Sequence, residues 1–235
     1  MGGNLPIVEL RASLEKSLVG DCARIVVEAP TGSGKSTQIP QYLADSETIG
    51  DGEIIVLQPR RLAARMLATR VAKERRGKLG DEVGFQVRFE NRSSARTRIR
   101  FITEGILIRW LISNPNLEGI AAVVLDEFHE RHFFGDISLA RALEVQETSR
   151  PDLKLVVMSA TLEIDALIRY LGPTARHLQS EGRTFPVETR YHPARERHRD
   201  EVWDLTARAL RAQLNESDPG GHVLVFMPGR FEIRK

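Results

Sequence analysis

Apolar residues follow two rhythms along this chain. Short, nearly continuous runs recur at Arg24–Glu28, Glu53–Leu57, Ile99–Ile102, Ile120–Leu125 and Leu153–Met158. Between them, Ser36–Ala44, Leu62–Glu74, Glu104–Leu111, Ile137–Glu147 and Ile164–Leu171 carry apolar positions at helical spacing. Strands alternating with helices in this way predict an α/β fold, a parallel sheet with helices on both faces. Ala121–Leu125 and Leu155–Met158 have no polar side, which suits central strands buried from both directions. Ligands of such sheets sit beyond the carboxyl ends of the strands, so the loops that follow these runs are where chemistry is expected.

The pattern changes after residue 180. Glu181–Arg183, with Pro186 behind it, reads as a linker. Asp200–Leu214 is an amphipathic helix pattern carrying Val202, Leu205, Leu210 and Leu214, and the turn at 218–221 leads to an expected strand at His222–Met227. The expected organisation is a first domain at 1–180, a linker at 181–190 and the beginning of a second domain at 191–235. The roughly 50 residues after the linker are too few for a second domain of the first one's size. There is no internal repeat and no low-complexity tract.

Composition narrows the class. Of 235 residues, 41% are hydrophobic and 28% charged, an ordinary balance for a soluble globular protein. No apolar run reaches the roughly 18 residues of a membrane span, and the start MGGNLPIVEL lacks the features of a signal peptide. Cys22 is the one cysteine, so no internal disulfide can form; a reducing, cytoplasmic setting is expected, with Cys22 as a small core residue. The net charge of +2 says less than its distribution. Between Pro59 and Arg76, Arg60, Arg61, Arg65, Arg70, Lys73, Arg75 and Arg76 stand against the single acid Glu74. Arg92, Arg96, Arg98 and Arg100 form a second cluster. A solvated face and a phosphate-binding surface both produce such clusters.

Three of the loops carry chemistry. EAPTGSGKST, residues 28–37, follows the first apolar run and fits the phosphate-binding pattern G-x-x-x-x-G-K-[ST], with Ala29 at the first glycine position. Gly32 and Gly34 let backbone N–H groups wrap a phosphate, and a helix beginning near Lys35 adds its positive end. Thr31, Gly32, Ser33, Gly34, Lys35, Ser36 and Thr37 are the expected nucleotide-binding residues. Lys35 would reach the β- and γ-phosphates and Ser36 would coordinate Mg²⁺, which makes ATP and Mg²⁺ the expected cofactors. Such a site needs a second strand that ends in an acid, and VVLDEFHERH, residues 123–132, supplies it. Asp126 is the expected Mg²⁺ ligand and Glu127 the base that takes a proton from water. For His129 two readings stand: a sensor on the γ-phosphate side, or a packing residue of the loop. KLVVMSATL, residues 154–162, ends in Ser159 and Thr161, which either link the acid loop to whatever lies opposite or cap the next helix.

Taken in order, Ala29–Thr37, Gln58-Pro-Arg-Arg61, Thr103-Glu-Gly105, Asp126-Glu-Phe-His129, Ser159-Ala-Thr161 and Val223-Leu-Val-Phe226 resemble the motif series of superfamily 2 helicases of the DEAH/RHA group. Val87-Arg-Phe-Glu90, Thr103–Leu107, Asp126–Arg131 and Glu181–Pro186 resemble the bacterial HrpB-type members most closely. The resemblance implies an ATP-dependent, 3′-to-5′ RNA helicase or translocase with two RecA-like domains, the second only begun here. It assigns Ser159 and Thr161 to coupling with His129, and Arg60, Arg61 and Thr103 to the nucleic-acid backbone. Arg70 matches an arginine that stacks on adenine. Phe128 stands where the group has alanine, with its side chain expected to point away from the phosphates. The group's arginine fingers belong to later motifs, so slow hydrolysis and no unwinding are expected of these residues alone, with a protein partner or further domains supplying the fingers. Single-stranded RNA, bound without base specificity, is the implied partner, because phosphate contacts carry no sequence information and no aromatic platform is evident. A nucleotide-gated binding module and a DNA translocase are the rival readings.

Overall fold

Five strands form where the apolar runs lie: β1 (Arg24–Glu28), β2 (Glu53–Gln58), β5 (Ile99–Thr103), β6 (Ile120–Leu125) and β7 (Lys154–Ser159). Three more complete the sheet: β3 (Val83–Val87), β4 (Glu90–Arg92) and β8 (Ala175–Gln179). In this computed structural model, residues 5–21, 23–160, 164–181, 187–191, 201–216 and 222–235 are described. Cys22, Thr161, His192, His198, the linker residues 182–186 and the turn at 218–221 lie outside the described residues.

The sheet runs β4-β3-β5-β2-β6-β7-β1-β8, parallel throughout except for the β3–β4 hairpin. The helices are α1 (Arg11–Ser17), α2 (Lys35–Asp45), α3 (Arg61–Glu74), α4 (Glu104–Ser113), α5 (Phe133–Thr148) and α6 (Ile164–Leu171). Alternate side chains of each strand serve opposite faces, as the period of two requires. Ile25, Val27, Ile54, Val56, Val156 and Met158 join Leu14 of α1, Ile39 and Leu43 of α2 and Ala64 and Ala68 of α3 in one core. Val26, Ile55, Leu57, Leu155 and Val157 join Leu107 of α4, Leu139 and Ala142 of α5 and Leu167 and Leu171 of α6 in the other. Each fully buried Ile, Leu or Val contributes about 1.5–3 kcal/mol by leaving water. This two-sided burial is why β6 and β7 read as unbroken apolar runs and lie near the centre of the sheet.

The chain divides into two units, Met1–Thr184 and Phe185–Lys235. In the second, α7 (Val202–Glu216) forms over the amphipathic stretch, and Trp203 meets Phe231 of the short α8 (Arg230–Ile233) edge-on at 5.9 Å. The strand expected at His222–Met227 does not form: residues 222–227 take no regular secondary structure, and Leu224 and Phe226 are exposed. Apolar alternation gives only the propensity for a strand; a ladder also needs a neighbouring strand, and none is present among the described residues of this unit.

Candidate functional site

The sheet order sets the carboxyl ends of β5, β2, β6, β7 and β1 side by side. At about 4.8 Å per strand, these five ends span roughly 19 Å. Thr103 ends β5, Gln58 ends β2, Asp126 follows β6, Ser159 ends β7 and the glycine-rich loop follows β1. Residues far apart in the chain thus meet on one edge.

The loop after β1 wraps as expected. Gly32 (φ +82°) and Gly34 (φ +94°) occupy the left-handed region that a Cβ disfavours. Gly34 precedes the first turn of α2, and a Cβ there would lie 2.9 Å from Leu5 Cδ1 and 3.3 Å from Ile7 Cγ2. Gly34→Ala is therefore expected to lower stability by at least about 1–2 kcal/mol, the cost of the left-handed backbone alone; urea unfolding measures it. Ser33 Oγ is buried without a hydrogen-bond partner in the structure. Ala29, at the first glycine position, is buried and its N–H donates to Ser159 O at 3.0 Å, pinning the loop's start to β7.

Lys35 opens α2 with its side chain 3% exposed, and its Nζ lies 3.6 Å from Glu127 Oε1. Glu127 adopts φ 51°, ψ 36°, a left-handed conformation costly for a residue with a Cβ. Asp126 is buried; its N–H donates to Leu57 O at 3.1 Å, and its Oδ1 accepts the Glu127 N–H at 2.9 Å. Burial, and then the charge of Glu127, push the Asp126 carboxyl upward; hydrogen bonds from Ser36 and Gln58 and the charge of Lys35 oppose them. Gln58 Nε2 donates to Asp126 Oδ2 at 2.6 Å.

His129 Nδ1 stands 3.5 Å from Glu127 Oε2 and also accepts from the Ala160 N–H at 3.5 Å. One contact needs a proton on Nδ1 and the other a lone pair, so a single tautomer satisfies only one of them. The ring joins the acid loop to the residue after Ser159; Thr161 lies outside the described residues. Phe128 is buried in the apolar cluster under α4 to α6, with the Arg131 guanidinium 5.6 Å from its ring centre.

An oxygen-donor ion fits here. Mg²⁺ is bound through one or two protein groups and the phosphates it bridges, without a full protein cage. The Asp126 carboxylate and the Ser36 hydroxyl, close enough for Ser36 to favour the charged carboxylate, could serve as such a pair. No cluster of three or more His, Cys, Asp or Glu that would make a cage is found among the described residues.

The basic residues divide into two sets. Arg60 is 72% exposed on its side chain and contacts Glu130 Oε1 at 2.9 Å, while Arg61 is exposed at the start of α3. Both follow Gln58, whose register partner at the carboxyl edge is Thr103. Arg70 projects from α3 and pairs with Glu74, which also accepts from Gln38 and Gln41 of α2. Burial pushes the Glu74 carboxyl up, but these hydrogen bonds outweigh it and hold it below its ordinary range. Arg98 and Arg100, by contrast, stand at the amino end of β5. Arg98 bonds Gly50 O and Gly52 O, and Arg100 bonds Glu53 at 2.6 Å. Arg75 clasps Asp45 and Glu82. Counting charges cannot separate such framework arginines from those facing a ligand.

Sequence reading overlooked two features of this edge. Phe89, at the β3–β4 turn, is 90% exposed under the Arg88 guanidinium, an aromatic surface the composition did not suggest. Gln58 is the other; it stands in the Gln58–Arg61 stretch, but its acid partner is 68 residues away and nothing local announces the contact.

A DEAD/DEAH box helicase family model matches residues 12–168. Over 235 residues, 44% are identical to the ATP-dependent RNA helicase HrpB of Escherichia coli (strain K12), covering 99% of this chain and 28% of that protein. The probable ATP-dependent RNA helicase DHR2 of Saccharomyces cerevisiae is 38% identical, with 100% of this chain and 31% of the relative covered. A crystal structure of the E. coli DEAH/RHA helicase HrpB superposes with a TM-score of 0.89 at 43% identity, over 98% of this chain and 29% of that one. The chain thus spans less than a third of the length of these relatives.

Proposed function

The chain belongs to the DEAD/DEAH box helicase family, and from that premise we propose that its carboxyl-edge site binds Mg·ATP and hydrolyses it in step with a bound single strand of RNA. The observation that carries this reading is the single row of strand ends, with the phosphate loop after β1, the acid pair after β6 and the basic loop after β2. In it Thr31–Thr37 enclose the phosphates, Lys35 meets the β/γ oxygens and Arg70 flanks the base. Ser36 and Asp126 would hold Mg²⁺, which when bound would withdraw charge from the phosphate oxygens. Glu127 orients a water and accepts its proton as the water oxygen bonds to the γ-phosphorus and the bond to the β-phosphate oxygen breaks. His129, shared between Glu127 and the Ala160 backbone, passes the state of that carboxylate to the Ser159–Thr161 loop.

Arg60, Arg61 and Thr103 take the RNA backbone, and translocation proceeds 3′ to 5′. Binding is then insensitive to sequence and weakens with salt. The cytoplasm suits a chain with a single cysteine, and no helix of the described residues is long and apolar enough to cross a membrane.

Arg60→Ala is expected to weaken binding of a labelled single strand to a similar extent for all base sequences and to reduce the salt slope by about one. Fluorescence anisotropy at several salt concentrations reads both. Competition between matched RNA and DNA strands tests the substrate, because only RNA offers a 2′-hydroxyl. RNA displacing DNA supports the reading; equal competition favours a general single-strand translocase, and no binding of either favours a nucleotide-gated module.

A further inference from the structure

Asp126 is held on two sides. Oδ1 accepts from the Glu127 backbone and Oδ2 from the Gln58 side chain at 2.6 Å. Gln58 is 1% exposed, and its own strand stays paired with β6 up to the Asp126 N–H. The two residues are 68 apart in sequence and are joined only because β2 and β6 are neighbours.

The chemistry of the donor is informative. A carboxylate offers about four lone-pair positions, so it can accept these two hydrogen bonds and still present oxygen to a cation. A lysine or arginine at position 58 would also bond Oδ2, but its charge would compete with an incoming divalent ion. An amide fixes the carboxylate without neutralising it. The amide orientation follows as well, since a carboxylate beside it can only accept. An apolar residue there would leave Oδ2 buried without this donor and free the side chain to rotate.

The connection onward is short. Pro59 restricts the backbone between Gln58 and Arg60, and Arg60 contacts Glu130 Oε1 at 2.9 Å. The end of β2 therefore grips the acid loop both at Asp126 and four residues later.

We infer that Gln58 is the positioning residue of the metal site: it sets the plane of the Asp126 carboxylate toward Mg²⁺ without touching ion or nucleotide. This rests on the proposed role of Asp126 as the Mg²⁺ ligand. Groups that orient a metal ligand typically matter 10- to 100-fold in metal affinity or activity.

The test is a Mg²⁺ titration of fluorescent ADP binding to the 235-residue chain, its Gln58→Met variant and its Asp126→Asn variant. Methionine keeps the length of the side chain and removes the donor. Gln58→Met is expected to need about 10-fold or more Mg²⁺ for half-maximal enhancement of binding, while its affinity in EDTA matches the parent. Asp126→Asn is expected to lose most of the Mg²⁺ response. A parental Mg²⁺ midpoint in Gln58→Met, alongside a lost response in Asp126→Asn, overturns the positioning role alone. A parental response in Asp126→Asn instead removes the metal assignment on which it rests. Weakened binding of Gln58→Met in EDTA would make Gln58 a residue of the fold and would also overturn the proposal.

Discussion

Lys35→Ala is expected to weaken nucleotide binding severely while leaving the fold intact. The ammonium is buried, 3% exposed, and it is the cation at the mouth of the glycine-rich loop. Removing one partner of a desolvated charge pair costs about 2–5 kcal/mol, or roughly 30- to 5,000-fold in affinity. The opposite effect on stability has to be weighed. A buried ammonium is costly to desolvate, and at 3.6 Å its pairing with the part-exposed Glu127 carboxylate is long. The nucleotide-free variant is therefore expected to melt no lower than the parent. Calorimetric titration with Mg·ATP and a thermal scan measure the two halves separately. Binding within about threefold of the parent would remove Lys35 from the phosphate site.

Glu127→Gln is expected to separate binding from chemistry. The amide keeps the size of the side chain but cannot take a proton, and loss of a general base costs about 10²- to 10⁴-fold in rate. Nucleotide affinity is expected to hold or rise slightly. The nearest alternative base is His129, whose Nδ1 is 3.5 Å from the Glu127 carboxylate. Single-turnover rates for Glu127→Gln and His129→Ala decide between them. Turnover lost in His129→Ala but kept in Glu127→Gln would transfer the role to the histidine.

The central layers of this fold were legible because burial on both faces leaves no room for polar residues. β1 and β6 match their apolar runs, and β7 differs by one residue at each end. The edges were not. β8, Ala175–Gln179, is an edge strand with Arg176, His177 and Gln179 exposed, so it has no apolar face to announce it. In β3, Gly84 and Gln86 interrupt the apolar run. α1 went unread although Leu10, Leu14 and Leu18 repeat every four residues and are all buried.

The candidate site divides in the same way. Glycine spacing, Lys35 and the acid pair are local patterns and can be read from the chain. Contacts between strand ends, such as Gln58 with Asp126 or Ala160 with His129, depend on which strands are neighbours. Arg98 and Arg100 looked like their basic neighbours until the sheet put them at the amino end of β5.

The central claim is that one row of strand ends couples ATP hydrolysis to a bound RNA strand. Steady-state ATP turnover, measured with and without single-stranded RNA and with Glu127→Gln as the blank, tests it most directly. The expected result is slow turnover above the blank that rises when RNA is added. Turnover equal to the blank under both conditions, or turnover indifferent to saturating RNA, would contradict it.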